Sequence, residues 1–167
     1  FLAIKACYDV LGREMASKLV IDFSVSNGYY VNPCGAVMIT DELIEKIYQR
    51  MCELRSAALP ITKHSISVLK ARRIFRENRM YDKERLLRYR LTSNVNLYTL
   101  DGFQDYFYGY LLPNTSFLKY FSLNRYSDGF VIEMPTPDAP TRIPEFLPNR
   151  KLYNSQIATS NWLNAMN

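Results

Sequence analysis

The chain is 167 residues long, 48% hydrophobic, and carries a net charge of +5; that length suits one domain, and the charge is too small to define a polyanion-binding protein by itself. No apolar run approaches the ~18 residues that a membrane span needs. Three cysteines (Cys7, Cys34, Cys52) without a Cys-x-x-Cys pair, and His64 as the single histidine, speak against a disulfide framework and give no spacing that favours zinc; they fit reduced, mostly buried thiols in a cytoplasmic chain.

From Leu2 to about Val20 the residues Ile4, Tyr8, Leu11, Met15 and Leu19 recur at helical spacing, which predicts an amphipathic helix packed on a sheet through that stripe. The chain opens at Phe1 already in helical phase, with no initiating Met, and is read as a piece of a longer protein. Lys5 and Asp9 lie one helical turn apart, either as a surface ion pair or as the lining of a pocket. Ile21–Ser26 alternates, Asn27-Gly28 offers a two-residue turn, and Tyr29–Asn32 returns as the second strand of a hairpin. Pro33–Gly35 ends it. Thr40 is placed to cap a second helix with Asp41 and Glu42 in its first turn, Leu43, Ile47, Met51 and Leu54 as its buried stripe, and a stop before Leu59-Pro60. Ile61–Ser67, flanked by Pro60, reads as an edge strand carrying His64.

The segment 63–90 is the most unusual in composition. Ten basic residues face three acidic ones, an imbalance larger than the net charge of the whole chain. Ser67 is expected to cap a helix running to about Asn78, and Asp82 a shorter one ending near Arg90. Lys70, Arg72, Arg73, Arg76, Arg79, Arg88 and Arg90 are the candidate contacts to RNA or to an acidic docking partner; a solvated helical face is the alternative.

Asn94–Leu100 alternates as a strand, Asp101-Gly102 turns it, and Phe103–Thr115 follows with Phe103, Tyr106, Phe107, Tyr108 and Tyr110 crowded together. This run predicts a buried or half-buried strand feeding an irregular turn through Pro113-Asn114-Thr115. Phe117–Asn124 and Gly129–Met134 form an expected third strand pair. Five prolines between Pro135 and Pro148 bar helix and central strand and predict an extended strap or connector. Lys151–Asn167 has weak helical potential. No Gly-x-x-x-x-Gly-Lys-Ser/Thr occurs, so this segment does not hold ATP in the P-loop manner.

Asp105-Tyr106-Phe107-Tyr108-Gly109-Tyr110-Leu111-Leu112-Pro113-Asn114-Thr115, followed by Leu118-Lys119-Tyr120-Phe121, resembles the second additional domain of threonyl- and alanyl-tRNA synthetases. In threonyl enzymes the segment runs Asp-Leu-Cys-Arg-Gly-Pro-His-Val-Pro-Ser-Thr, and the domain removes wrongly attached amino acids from tRNA with that Cys and His and a His-x-x-x-His pair on the first helix. The resemblance puts Phe107 at the Cys, Leu111 at the His, and Lys5 and Asp9 at the helix pair. A hydrolytic or zinc-like site needs imidazole and thiolate donors converging on one point. Phe107 and Leu111 donate nothing, and Lys5 brings positive charge where a cation would sit. Ser93–Tyr98, Asp105–Gly109, Leu118–Phe121 and Asp128-Gly129-Phe130 together are similar to the domain upstream of the P-loop kinase in bacterial nucleoside (uridine) kinases, chains in which a small TGS-type domain comes first.

These observations predict an α+β fold of threonyl/alanyl-tRNA synthetase additional-domain type, an antiparallel sheet with two long helices on one face. Residues 1–134 would be the editing-like domain, 135–150 a proline-rich strap, and 151–167 a linker helix toward a kinase domain. The resemblance implies a non-catalytic scaffold, docking or regulatory module of an enzyme of nucleotide metabolism. It implies no cofactor, metal or catalytic residue here, with ATP and Mg belonging to the kinase domain. The partners would be the TGS-like and kinase domains of the same chain, and no membrane. One alternative is an RNA (tRNA)-binding module using 63–90. Another is an aminoacyl-tRNA hydrolase recruiting Asp9, His64 and Cys7. Replacing polar donors by apolar groups could also leave a dry pocket lined by Asp9, Phe107, Tyr108, Tyr110 and Leu111, able to stack a nucleoside.

Overall fold

Among the described residues (1–25, 28–34 and 37–146 of a computed structural model), four α-helices, a one-turn 3-10 helix and seven strands form an α+β fold in which every strand pairing is antiparallel. Asn27, residues 147–150 of the expected strap and the expected linker helix 151–167 lie outside the described residues. The chain divides into two units, one made of Phe1–Lys18 and Lys46–Lys119, the other of Leu19–Glu45 and the chain from Tyr120 on. The strands divide accordingly into two sheets.

In the first unit, helix α1 (Leu2–Ala16) stops short of the expected Val20. Gly12 adopts φ 74°, ψ 167° inside it, a conformation that glycine enters without steric cost and that interrupts the helical hydrogen-bond ladder. Its buried residues are Leu2, Ala3, Lys5, Ala6 and Cys7 together with Ala16, whereas Ile4, Tyr8 and Leu11 are half-buried and Met15 is exposed. Periodicity of bulky residues marked the neighbouring stripe because alanine and cysteine carry a weak hydrophobic signal yet bury readily. Helix α2 (Asp41–Ser56), which belongs to this unit from Lys46 on, starts where Thr40 was expected to cap it: the Thr40 hydroxyl accepts from the Leu43 amide at 3.2 Å. Ile47, Met51 and Leu54 are buried as expected, with Ile44 rather than Leu43 completing the stripe.

Strands β3 (Thr62–Ser67), β4 (Asn94–Leu100) and β5 (Phe103–Tyr106) form a sheet in which β4 is central and β3 is an edge, as expected. Helix α3 (Val68–Glu77) and helix α4 (Tyr81–Arg88) connect β3 to β4. The Ser67 hydroxyl accepts from the Lys70 amide, the expected cap. Asp82 lies in the first turn of α4 but does not cap it; Met80 holds that position without a side-chain bond. Phe75, Leu87, Val95, Leu97 and Tyr106 belong to the core of this unit. Asp101-Gly102 closes the β4–β5 hairpin, with Leu100 paired to Phe103.

The second unit holds β1 (Leu19–Val25), β2 (Gly28–Pro33), β6 (Ser122–Tyr126) and β7 (Gly129–Glu133), in the order β1-β2-β7-β6. Val25 pairs with Gly28, so Gly28 is the first residue of β2 and not the second residue of a turn. Its smallness serves the sheet: a Cβ there would meet the Val131 side chain at 2.5 Å and the Ile132 carbonyl at 2.7 Å. The third strand pair is tighter than expected, because Thr115–Phe117 forms the 3-10 turn, β6 starts only at Ser122, and Tyr126 pairs with Gly129. Every residue of β7 is buried. Among the described residues from Pro135 on, the strand pairing is a single Thr136–Ala139 bridge, and the Phe146 ring packs edge-on against Tyr126 at 5.5 Å.

Candidate functional site

The four positions that resemble the editing ligands are all in the first unit. Lys5, only 5% exposed, directs its ammonium to Asp9 Oδ1 at 2.6 Å and to Asp101 Oδ2 at 3.7 Å. Arg50 Nε binds the other Asp9 oxygen at 2.9 Å and its Nη1 reaches Glu53 at 2.8 Å. The helix pair therefore joins a buried ammonium to a carboxylate that reaches the surface, and it extends into a five-residue network. Arg50 and Asp101 carry no sequence signal for this role, since they come from distant parts of the chain.

Phe107 is the position that the resemblance sets against the thiol. Its ring meets Phe1 edge-on at 5.5 Å, and the Lys83 ammonium lies 5.3 Å from its centre. Lys83 also approaches Asp105 Oδ1 at 3.5 Å. Asp105 is fully buried, with Oδ1 accepting from the Tyr106 amide at 2.7 Å and Oδ2 without a hydrogen-bond partner. Burial raises the Asp105 pKa, and Lys83 opposes part of that shift. Leu111 is half-buried. Lys5 and Asp9 line one cavity of about 290 Å³, Phe107 lines another with Tyr108 and Tyr110, and Leu111 lines neither. Neither of these two cavities joins Asp9 with Phe107, Tyr108, Tyr110 and Leu111, the lining expected for a dry pocket. Tyr108 and Tyr110 are 88% and 92% exposed; the expected buried or half-buried strand ends at Tyr106, and both tyrosines belong to the irregular chain that follows it.

Pro113-Asn114-Thr115, at the end of the segment that resembles the synthetase domain, does structural work. The Thr115 hydroxyl donates to the Leu54 carbonyl at 2.7 Å and accepts from the Leu59 amide at 2.9 Å. Asn114 Nδ2 donates to the Ala58 carbonyl, and the Ile61 amide donates to the Pro113 carbonyl. Pro113-Asn114-Thr115 thereby supplies partners to the backbone groups that the C-terminal end of α2 leaves open. Thr115 is 2% exposed.

The basic segment has an acidic centre that its composition conceals. Glu84, buried, receives Arg72 Nη2 at 2.7 Å, Arg76 Nη2 at 3.2 Å and Arg88 Nη2 at 3.2 Å. The hydrogen bond from Arg72, foremost among these, holds the Glu84 carboxyl below its ordinary pKa. Only Arg88, one turn away on α4, could have been paired with Glu84 from spacing. Arg79 reaches Glu14 at 3.5 Å, and Arg90 donates to the Tyr106 hydroxyl. Lys70 and Arg73 are exposed on α3.

Of the residues considered for a rebuilt hydrolase, His64 is exposed on β3 and bonded to Thr62, and Asp9 is held by Lys5 and Arg50. Cys7 is buried, which pushes its thiol up to about 12, so the thiolate nucleophile is scarce at neutral pH. Among the described residues, no group of three His, Cys, Asp or Glu side chains is placed to hold a metal, and no helix is long and apolar enough to cross a membrane.

No family model matches the chain. It is similar to a threonine–tRNA ligase of Campylobacter jejuni subsp. doylei, 30% identical over 129 residues, which are 77% of this chain and 20% of the relative. A threonine–tRNA ligase of Syntrophotalea carbinolica is 32% identical over 123 residues, 73% of this chain and 19% of the relative. That of Nautilia profundicola is 25% identical over 115 residues, 69% and 18%. The chain spans about a fifth of the length of these curated relatives. Over roughly three quarters of its length it is weakly homologous to threonyl-tRNA synthetases, and its α+β fold is consistent with an additional-domain-like module of that kind.

Proposed function

We propose that this chain is a non-catalytic, editing-like module of a multidomain nucleoside (uridine) kinase, acting as a scaffold, docking or regulatory domain in the cytoplasm. Residues 1–134 form the module, 135–150 its strap, and 151–167 the link to the kinase domain that holds ATP and Mg. The observation that carries the non-catalytic reading is the Lys5–Asp9–Arg50 network: the helix positions that resemble editing ligands spend their charges on each other. The kinase context rests on the motif blocks from Ser93 to Phe130. Two assays test the reading. The chain added to mischarged aminoacyl-tRNA should give deacylation no faster than buffer, and a catalysed rate would overturn the non-catalytic role. The parent protein should phosphorylate uridine with ATP, and change its turnover or stability when residues 1–134 are deleted; no uridine phosphorylation would overturn the kinase context.

A second reading, RNA contact by 63–90, is favoured by the cluster on Glu84. One carboxylate fixes three guanidiniums, leaving a preformed surplus of positive charge beside the exposed Lys70 and Arg73. Its test is binding to bulk tRNA across a salt series. Reversing Lys70 and Arg73, which spares the Glu84 cluster, should reduce the slope of log affinity against log salt by about 1.5. An unchanged slope would assign the face to a protein partner.

A further inference from the structure

Beyond the end of β5 the chain builds a surface concavity of about 260 Å³, apart from the cavity that Lys5 and Asp9 line. Its lining includes two cations, Lys63 and Arg90, and no acidic residue. It also holds the two tyrosines that, among the described residues, stand most fully in solvent, Tyr108 and Tyr110. Tyrosine is enriched at interfaces because it couples an apolar ring to a polar tip. These two are held in place: the Lys63 ammonium lies 4.5 Å from the Tyr110 ring centre, and the Arg90 guanidinium 5.8 Å from that of Tyr108. Gly109 between them adopts φ 101°, a left-handed conformation that favours glycine. Its carbonyl accepts from the Tyr98 hydroxyl, which ties the loop to the sheet. A Cβ on Gly109 would meet nothing within 4 Å, so the space over the loop is open.

Three kinds of group therefore face one concavity. Flat rings offer stacking surfaces, which any nucleobase can use. Asn94 and Asn96, at the start of β4, offer amides that both donate and accept, as a base edge requires. Lys63 keeps its three donors, and Arg90 keeps those not spent on Tyr106, for an anion; guanidinium suits phosphate oxygens in particular. We propose that this concavity binds a nucleoside phosphate, with the base laid on Tyr108 or Tyr110 and the phosphate between Lys63 and Arg90. The ligand unit is the same whether it comes as a free mononucleotide or as one nucleotide of a single-stranded RNA.

Titration calorimetry on the 167-residue chain, with UMP, AMP, uridine, inorganic phosphate and a ten-nucleotide single-stranded RNA as probes, separates these terms. The expected result is binding of the mononucleotides that exceeds both uridine and phosphate. Tyr108→Ala or Tyr110→Ala should weaken it about 5- to 150-fold, the range set by one stacked base, and Lys63→Ala should bring affinity down toward that of the nucleoside. All three side chains are exposed, so the variants retain the fold, which circular dichroism checks. Oligonucleotide binding far tighter than the mononucleotides assigns the source as an RNA strand, and comparable binding assigns it as a free nucleotide. Phosphate binding as tight as UMP and AMP, no change in either tyrosine variant, or no binding of any nucleotide probe at millimolar concentration would each overturn the proposal.

Discussion

The Lys5 ammonium lies 2.6 Å from the Asp9 carboxylate on α1, and the lysine is the more buried partner, with 7% of its side chain exposed against 23% for Asp9. The two halves of the pair are therefore unequal. Asp9→Asn leaves a buried ammonium whose remaining carboxylate neighbour, Asp101, is 3.7 Å away. Lys5→Met removes the buried charge itself and leaves Asp9 with Arg50. Breaking such a pair from the exposed side should cost about 2–4 kcal/mol, and removing the lysine about 1 kcal/mol. Urea unfolding followed by circular dichroism measures both. Equal losses of a few tenths of a kcal/mol would mean the pair behaves as a surface pair.

Thr115 joins two distant backbone groups through one hydroxyl, and valine matches its shape without that hydroxyl. Thr115→Val strands the Leu54 carbonyl and the Leu59 amide, so a loss of about 1–3 kcal/mol follows. Thr115→Ser keeps both bonds and gives up a methyl group, at a cost of about 0.8 kcal/mol. The order of the two variants in the same unfolding series is the check. Serine costing as much as valine would assign the role of Thr115 to packing.

Glu84 and Asp105 should act on stability with opposite signs as pH changes. Arg72 and its neighbours depress the folded-state pKa of Glu84, so its contribution is complete above the ordinary value of 4.5 and is lost as pH falls through the lower folded value. Burial raises the Asp105 pKa above its ordinary 3.8 despite Lys83; its contribution is complete below 3.8 and is lost as pH rises through the higher folded value. Melting temperatures measured from about pH 3 to 7 should therefore show Glu84→Gln removing part of the acid-side fall, and Asp105→Asn removing part of the fall toward neutrality. Shifts of the same sign in both variants would overturn the assignment.

Much of the local structure was legible because its causes are local. Thr40 and Ser67 cap as their residue types require, Asp101-Gly102 turns the β4–β5 hairpin, and Pro60 leads into an edge strand. What was not legible depends on partners far along the chain. Two sheets arise because β7 pairs with β2 about a hundred residues earlier, and no turn or periodicity announces that pairing. The charge count of 63–90 was readable, but not that Glu84 gathers three of its arginines. Aromatic density at Phe103–Tyr110 suggested burial, yet Tyr108 and Tyr110 face solvent because the strand ends at Tyr106. The candidate site was legible as a set of replaced residues and illegible as a network, since Arg50 lies 41 positions from Asp9.

Gly129 tests the β2–β7 pairing most directly. A Cβ on it would overlap the Val31 carbonyl oxygen and lie 3.1 Å from both Pro33 Cδ and Tyr30 Cε2. The first of these is backbone in a paired strand, so it cannot rotate away as a flexible side chain could. Gly129→Ala must push β2 from β7 at the Val31–Phe130 end of their ladder, with a loss of at least about 2–3 kcal/mol. The matching change at the other end, Gly28→Ala, meets the Val131 side chain first at 2.5 Å and the Ile132 carbonyl at 2.7 Å; it should cost less, because a side chain can yield part of that space. Hydrogen exchange should show the loss as faster opening of β2 and β7 amides while β3–β5 amides keep their protection. An alanine at 129 that leaves stability and exchange unchanged would mean that Val31 and Gly129 are not this close and that the register pairing Val31 with Phe130 is wrong.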